Sequence, residues 1–334
     1  MSTLKVDSIT NNGSAVDLTN GAFQIGGNDV LQGYTESATE PSSPTKGDLW
    51  WDTANEVLYQ YLNGEFKAIG ITLPVLDVSA FTYDSVNFYV GGQESQPSGL
   101  AFKTDGTKLY ITGKGTDAVY QYSLSTAFDI TTASYDSVSQ SISQVSSFPW
   151  NLSFSSDGTK FFIMDEGVDT IYGYTLTTAW DLSTAQTTGI SYFTVTQETL
   201  PKGFTFNNDG TKMYVVGWAN DSVYQYSLST AFVVSTASYD SKSLNVSATL
   251  LNPAAIRFNN DGTKAFILSW NDDIMYQYSL STAFDISTAS YDSKSLSFAS
   301  LDTTPISFAF NSDETKMYIL GQTGDNVSQY STNF

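Results

Sequence analysis

There is no cysteine and no histidine among the 334 residues. The first absence excludes disulfides and thiolate metal sites and leaves the redox compartment open. The second removes imidazole ligands, the Ser–His–Asp and Cys–His arrangements and the usual proton carrier at neutral pH. Positive charge is scarce: 14 basic residues, with Arg257 the one arginine, stand against 34 acids, for a net charge of −20. Such a chain is repelled by phosphate backbones, which argues against nucleic acid as a partner. Long apolar runs are missing too. No segment reaches transmembrane length, and the opening MSTLKVDSIT is too polar for a signal peptide. Helix signals are few, while Tyr, Phe, Val, Thr and Ser abound, an all-β composition.

What is present is a repeat. DGTKLY, DGTKFF, DGTKMY, DGTKAF and DETKMY begin at Asp105, Asp157, Asp209, Asp261 and Asp313, at a constant interval of 52 residues. The unit from Gly203 reads as a strand (Gly203–Phe206), an Asp-Gly hairpin turn, a strand (Met213–Gly217), a short variable loop, a strand (Val223–Leu228), a long turn and a fourth strand from about Ser241. Four antiparallel strands in some fifty residues is a β-propeller blade. A second element, FDITTASYDS at Phe128, returns at Phe232 and Phe284, in degenerate form at Trp180, and as LDVSAFTYDS at Leu76. The chain stops at the third strand of the fifth unit, so residues near Tyr83–Val90 should supply the missing outer strand. The expected fold is all-β: a five-bladed β-propeller of 52-residue repeats closed by its N- and C-terminal strands, behind a small β-rich N-terminal anchoring region.

Units repeated in one chain separate scaffold from variation. Pro97, Pro149, Pro201, Pro253 and Pro305 precede the inner strands, and Phe102, Phe154, Phe206, Phe258 and Phe310 recur within them. Tyr122, Tyr174, Tyr226, Tyr278 and Tyr330 recur in the third strands and read as packing between blades. Asp117, Asp169, Asp221, Asp273 and Asp325 read as turn-fixing groups rather than calcium ligands. The hairpin and third-to-fourth turns share one face, nearly invariant and expected to be inert. The other face holds the variable loops GKGT, DEGV, GWAN, SWND and GQTG with the segments before each inner strand. Trp150, Trp218 and Trp270 fall there, as exposed sugar- or protein-binding groups or as residues folded over their own loops. With Lys114, Lys202, Glu94, Asp165 and Glu166 they form the expected ligand-binding set. No catalytic residue, metal ligand or cofactor is assigned.

The preceding residues differ. Residues 1–35 hold short alternating segments, 36–46 a Pro/Ser linker, and 47–72 a small hairpin module with turns at Thr53–Asn55 and Asn63–Gly64; the propeller occupies 73–334. Trp50 and Trp51 need a partner surface, and strands without a core of their own imply assembly, with a homotrimer expected.

MSTLKVDSIT with NDVLQGYTE, then GDLWWDT…YLNGEFKAIG, then the DGTKMYVVG…DSVYQYSLSTAFD repeats, together resemble virion structural proteins of tailed phages, above all tail fibres and appendages of marine and cyanobacterial phages. The resemblance covers nearly the whole chain. It implies attachment to other virion proteins through the N-terminal region, a propeller that contacts a host-surface glycan or protein, assembly in the host cytoplasm and location on the virion, with no membrane insertion. A capsid or tail decoration without ligand is one alternative; the other is a polysaccharide-cleaving enzyme. Glycosidic cleavage needs two facing carboxylates. The inner strands GLAF, NLSF, GFTF, AIRF and SFAF hold no acid, and Glu94, Glu198 and Asp302 lie only in the loops before them, so the expectation is that the protein is not an enzyme.

Overall fold

A computed structural model describes residues 76–301 and 304–332 throughout and, ahead of them, eight short strands with residues 39–44 and 64. The chain divides into two compact units, Met1–Leu76 and Asp77–Phe334.

In the first unit, Leu4–Val6, Val16–Thr19, Ala22–Ile25 and Asn28–Gln32 make an antiparallel meander. Leu49–Asp52, Val57–Leu62 and Glu65–Thr72 form the expected hairpin module. Its fourth strand, Tyr34–Ser37, pairs in parallel with Leu49–Asp52 and so takes up the first residues read as linker. Trp50 is buried. The Trp51 side chain and the Thr53–Asn55 turn lie outside the described residues, as does Asn63, while Gly64 takes φ +92°.

The second unit is a five-bladed propeller. Blade 1 comprises Pro97–Phe102, Lys108–Gly113, Ala118–Leu124 and Ala133–Ser141, paired in that order from inside to outside. Blades 2 to 4 repeat it, with inner strands Pro149–Phe154, Pro201–Phe206 and Pro253–Phe258. Blade 5 has Pro305–Phe310, Lys316–Gly321 and Asn326–Thr332, and its outer strand is Phe81–Tyr89 from the other end of the chain. Inner strands touch neighbour to neighbour around the ring, the first against the last. Each prolines-first inner strand begins at the proline itself, two residues earlier than expected. An edge strand facing the axis needs no ladder bond there, which is where proline is tolerated.

The constant residues build this ring. In every hairpin the Asp side chain (Asp105 in blade 1) accepts from the Thr amide and hydroxyl two residues on, at 3.0 and 2.6 Å for Thr107. Tyr110, Phe162, Tyr214 and Phe266 each pack on the inner-strand Phe of the next blade, and Tyr318 closes the ring on Phe102 with centroids 4.6 Å apart. The third-strand tyrosines are buried, as expected of interblade packing. Asp117, Asp169, Asp221, Asp273 and Asp325 all adopt φ between 46° and 55°. Asp tolerates this left-handed backbone better than most residues, and each Asp carbonyl accepts the amide that ends the outer strand, at 2.9 Å for Ile142.

A polar staple joins blades as well. Gln121, Gln225 and Gln277 donate to Asp136, Asp240 and Asp292 of their own outer strands. Their carbonyl oxygens accept from Leu182 and Ile286 of the next blade, and from Val78, which ties in the closing segment at 2.8 Å.

Candidate functional site

Two sets of equivalent positions ring one mouth of the axis, called here the upper mouth. The first set is the second residue of each inner strand: Ser98, Trp150, Lys202, Ala254 and Ile306. Each sits at a β-bulge, where the ladder skips a residue between Pro97 and Gly99, Pro149 and Asn151, and so on round the ring. A bulge re-aims the side chain it carries, and all five are buried. The second set follows the second strands: Lys114, Glu166, Trp218, Trp270 and Gln322. Their backbone amides all bond to carbonyls just ahead of the inner strands, at 3.0 to 3.1 Å. The backbone is five times the same; only the side chains differ.

Those side chains converge. Lys202, 1% exposed, pairs with Glu166 and lies over the rings of Trp150 and Trp218, 3.9 and 4.0 Å from their centroids. Lys114 lies 3.3 Å from the Trp150 centroid and 3.7 Å from Glu166. Trp218 packs edge-on against Trp150 and beside Trp270, at 5.5 and 5.1 Å. Ammonium groups over indole faces are held by the ring quadrupole, more strongly when desolvated. Burial pushes the Lys114 ammonium down to about 8, with Glu166 opposing and the Lys202 charge adding to the fall. Burial lowers Lys202 too, against the pull of Glu166. The indole N–H groups of Trp150, Trp218 and Trp270 are buried with no acceptor among the described residues, which is uncommon for buried donors.

Six of the eight residues expected to bind ligand thus meet at one cluster: Trp150, Trp218, Trp270, Lys114, Lys202 and Glu166. Their character differs from the expectation. Trp150 is 4% exposed, because its bulge turns it inward and two ammonium groups cover it; Trp218 and Trp270 are half-buried. The exposed indole platform does not exist at Trp150. Glu94 and Asp165 stand apart, each tying together two loops of its own blade. Glu94 accepts from Gln96, Gly115 and Thr116, and Asp165 from Ser147, Gly167 and Val168. Glu198 accepts from Leu200 and Ala219 through Oε1 alone, its Oε2 buried with no partner among the described residues, and Asp302 lies outside the described residues. Gln322, which the sequence reading passed over, completes the ring toward blade 1.

The opposite mouth is not the featureless face expected of the DGTK hairpins. It opens into a cavity of about 370 Å³ lined by inner strands of all five blades. Two breaks in the repeat line it. Arg257 stands where the other blades have Ala101, Ser153, Thr205 and Ala309, and Glu314 replaces the hairpin glycine. In the other four hairpins a Cβ would collide with the ring of Phe128, Trp180, Phe232 or Phe284. In the sequence, the repeat copy that matches these aromatic residues begins with Leu76 in place of Phe or Trp. Glu314 still takes φ 61°, the left-handed backbone of the glycines it replaces.

Comparison with known proteins bears on what this ring does. The profile of the family described as "Lactonase, 7-bladed beta-propeller" matches residues 135–333, more than half of the chain. No curated protein matches it. Among solved structures, a candidate 6-phosphogluconolactonase from Bacteroides uniformis ATCC 8492 is similar at 12% identity, covering 85% of this chain and 78% of that one with a TM-score of 0.43. A functionally unknown protein from Desulfotomaculum acetoxidans DSM 771 reaches 14% identity over 80% of this chain and 86% of its own, with a TM-score of 0.45. At such scores these likenesses carry no argument about activity. The family match does correct one expectation. A lactonase family stands against the reading that the protein is not an enzyme, a reading that rested on the inner strands holding no paired acids. The strand that begins at Pro201 includes Lys202.

Proposed function

The chain belongs to the lactonase propeller family, here with five blades, and from that premise we propose that its upper mouth hydrolyses the cyclic ester of a sugar acid. The observation that supports this most is Lys114, an amine brought near neutrality beside a carboxylate and a second, buried ammonium. Opening a lactone needs a base to take a proton from water and positive charge near the carbonyl oxygen. Neutral Lys114 accepts the water proton as the water oxygen bonds to the carbonyl carbon. The ammonium so formed faces the new oxyanion. When the tetrahedral species collapses, the ring C–O bond breaks and Lys114 returns its proton to the departing alkoxide, leaving a hydroxy acid. Lys202 is shut from water and acts as a positioning residue, fixing Glu166 and completing the field. The half-buried Trp218 and Trp270 offer an apolar wall for the sugar ring.

The test is acid release from D-glucono-1,5-lactone and related aldonolactones at constant pH. Wild type should show a rate that rises through pH about 8 as Lys114 sheds its proton, and Lys114→Met should lower it about a hundredfold. Background rates with the wild-type protein across those lactones, or an unchanged rate in Lys114→Met, would overturn the assignment.

A second proposal concerns where this head is mounted. The resemblance to phage appendage proteins and the separate unit Met1–Leu76 support a virion protein whose first residues attach to the particle and whose propeller meets a surface glycan of the host. Removing residues 1–74 should leave a folded monomeric propeller, whereas the full chain should form trimers in mass photometry. A monomeric full-length protein with no affinity for virion proteins sinks this part alone.

A further inference from the structure

We propose that the lower mouth is a second, separate binding pocket, for a small monocarboxylate with an apolar, aromatic-sized body. The guanidinium of Arg257 reaches across the axis, Nη1 donating to the carbonyls of Phe204 (3.1 Å) and Ile256 (2.8 Å) and Nη2 more weakly to that of Leu152 (3.5 Å). These bonds hold the group in place but supply dipoles, not a countercharge. Among the described residues no carboxylate lies within ion-pair distance of it. Burial draws it down to about 10, still protonated at neutral pH. Nε–H and the second Nη2–H make no bond among the described residues, and that edge is the fork that grips a carboxylate side-on.

The walls decide what carries the carboxylate. The longer polar side chains around the cavity are already committed: Lys103 to Asp105 at 2.7 Å, Asn207 and Asn311 to the amides of Lys212 and Lys316, Asn260 to the Ser312 carbonyl. Glu314 accepts the Asn260 amide. The remaining wall is aromatic, with the inner-strand phenylalanines of all five blades facing the same hollow. A cavity of about 370 Å³ lies at the small end of ligand pockets, enough for one ring on a short stem.

The experiment is calorimetry and ligand-observed NMR on the full-length protein with 3-phenylpropanoate, 3-phenylpropanamide and gluconate. The acid should bind, with the amide at least about tenfold weaker, since a bidentate charged bond is worth about that factor or more; gluconate keeps the carboxylate but has no apolar body for the aromatic wall, and should also be about tenfold weaker. Arg257→Met should lose the acid by the same factor. Ala309→Trp, which fills the cavity from blade 5, should abolish binding and leave lactone turnover unchanged. If Arg257→Met does not fold, the acid–amide comparison and Ala309→Trp decide. Equal binding of acid and amide, preference for gluconate, no binding of any probe, or retained binding in Ala309→Trp would overturn the proposal.

Discussion

The two mouths of one ring solve the same problem in opposite ways. Five inner strands leave an open axis at both ends. At the upper end the bulge residues turn inward and fill it, so that Trp150 and Lys202 become core although they lie beside loops. At the lower end no bulge intervenes, the phenylalanines stand back, and the axis stays hollow with Arg257 set across it. A repeated backbone therefore does not imply repeated burial. One extra residue per strand is enough to decide whether a variable position is surface or interior.

The sharpest way to break that contrast is to empty the full end. Trp150→Ala removes a buried indole and uncovers two ammonium groups, and should cost about 3–5 kcal/mol in denaturant unfolding. Melting like wild type would mean that the upper mouth is a surface after all. Next, Glu166→Gln strands the buried Lys202 without its partner and should cost about 3 kcal/mol, the range for breaking a buried pair, lessened because Lys202 can shed its proton. No change in unfolding free energy at pH 7 would show that the pair is decorative. The smallest effect has the opposite sign and lies at the hollow end. Glu314→Gly relieves a left-handed glutamate and should stabilise by about 1 kcal/mol. Its carboxyl is pushed up to about 7 by burial. The folded state thus keeps a proton that the unfolded chain gives up at its ordinary, lower value, and wild-type stability falls as pH rises through that window toward 7. The gain from Glu314→Gly should therefore be larger at pH 8 than at pH 4. A gain independent of pH would separate the strain from the titration.

Much of this ring is legible in the letters alone. The 52-residue interval specifies five units, and the displaced LDVSAFTYDS specifies where the last strand comes from, because hairpin chemistry and strand alternation are local properties that each copy restates. Even the degenerate copy keeps the rule: Ser85, Ser137, Ser241 and Ser293 take φ near 60°, and at the equivalent place in blade 2 stands Gly189 at 70°. The site was legible only as a face. That Lys114, Lys202, Glu166 and three tryptophans share a side follows from loop order; that they bury one another depends on bulges with no mark in the sequence. Glu94 and Asp165 looked like free acids because their partners are backbone amides, which composition does not display. Arg257 and Glu314 had a visible signal, the first a lone large cation among small residues and the second a lone departure from glycine. It went unused while the DGTK face was taken as uniform.

The strand Phe81–Tyr89 gives the ring an odd history. On the ribosome it is among the first propeller segments made, yet its partner Asn326–Thr332 emerges last, some 249 residues later in sequence for the Thr82–Ser331 bond. Until then a nine-residue strand waits with an unpaired edge. Nothing in the pairing says which copy must supply it. The outer strand of one molecule can complete the fifth blade of another with the same ladder, the same Val78 staple and the same Tyr83–Tyr330 contact. Crowded nascent chains, as on a polysome, are therefore the setting in which exchange between rings would compete with self-closure.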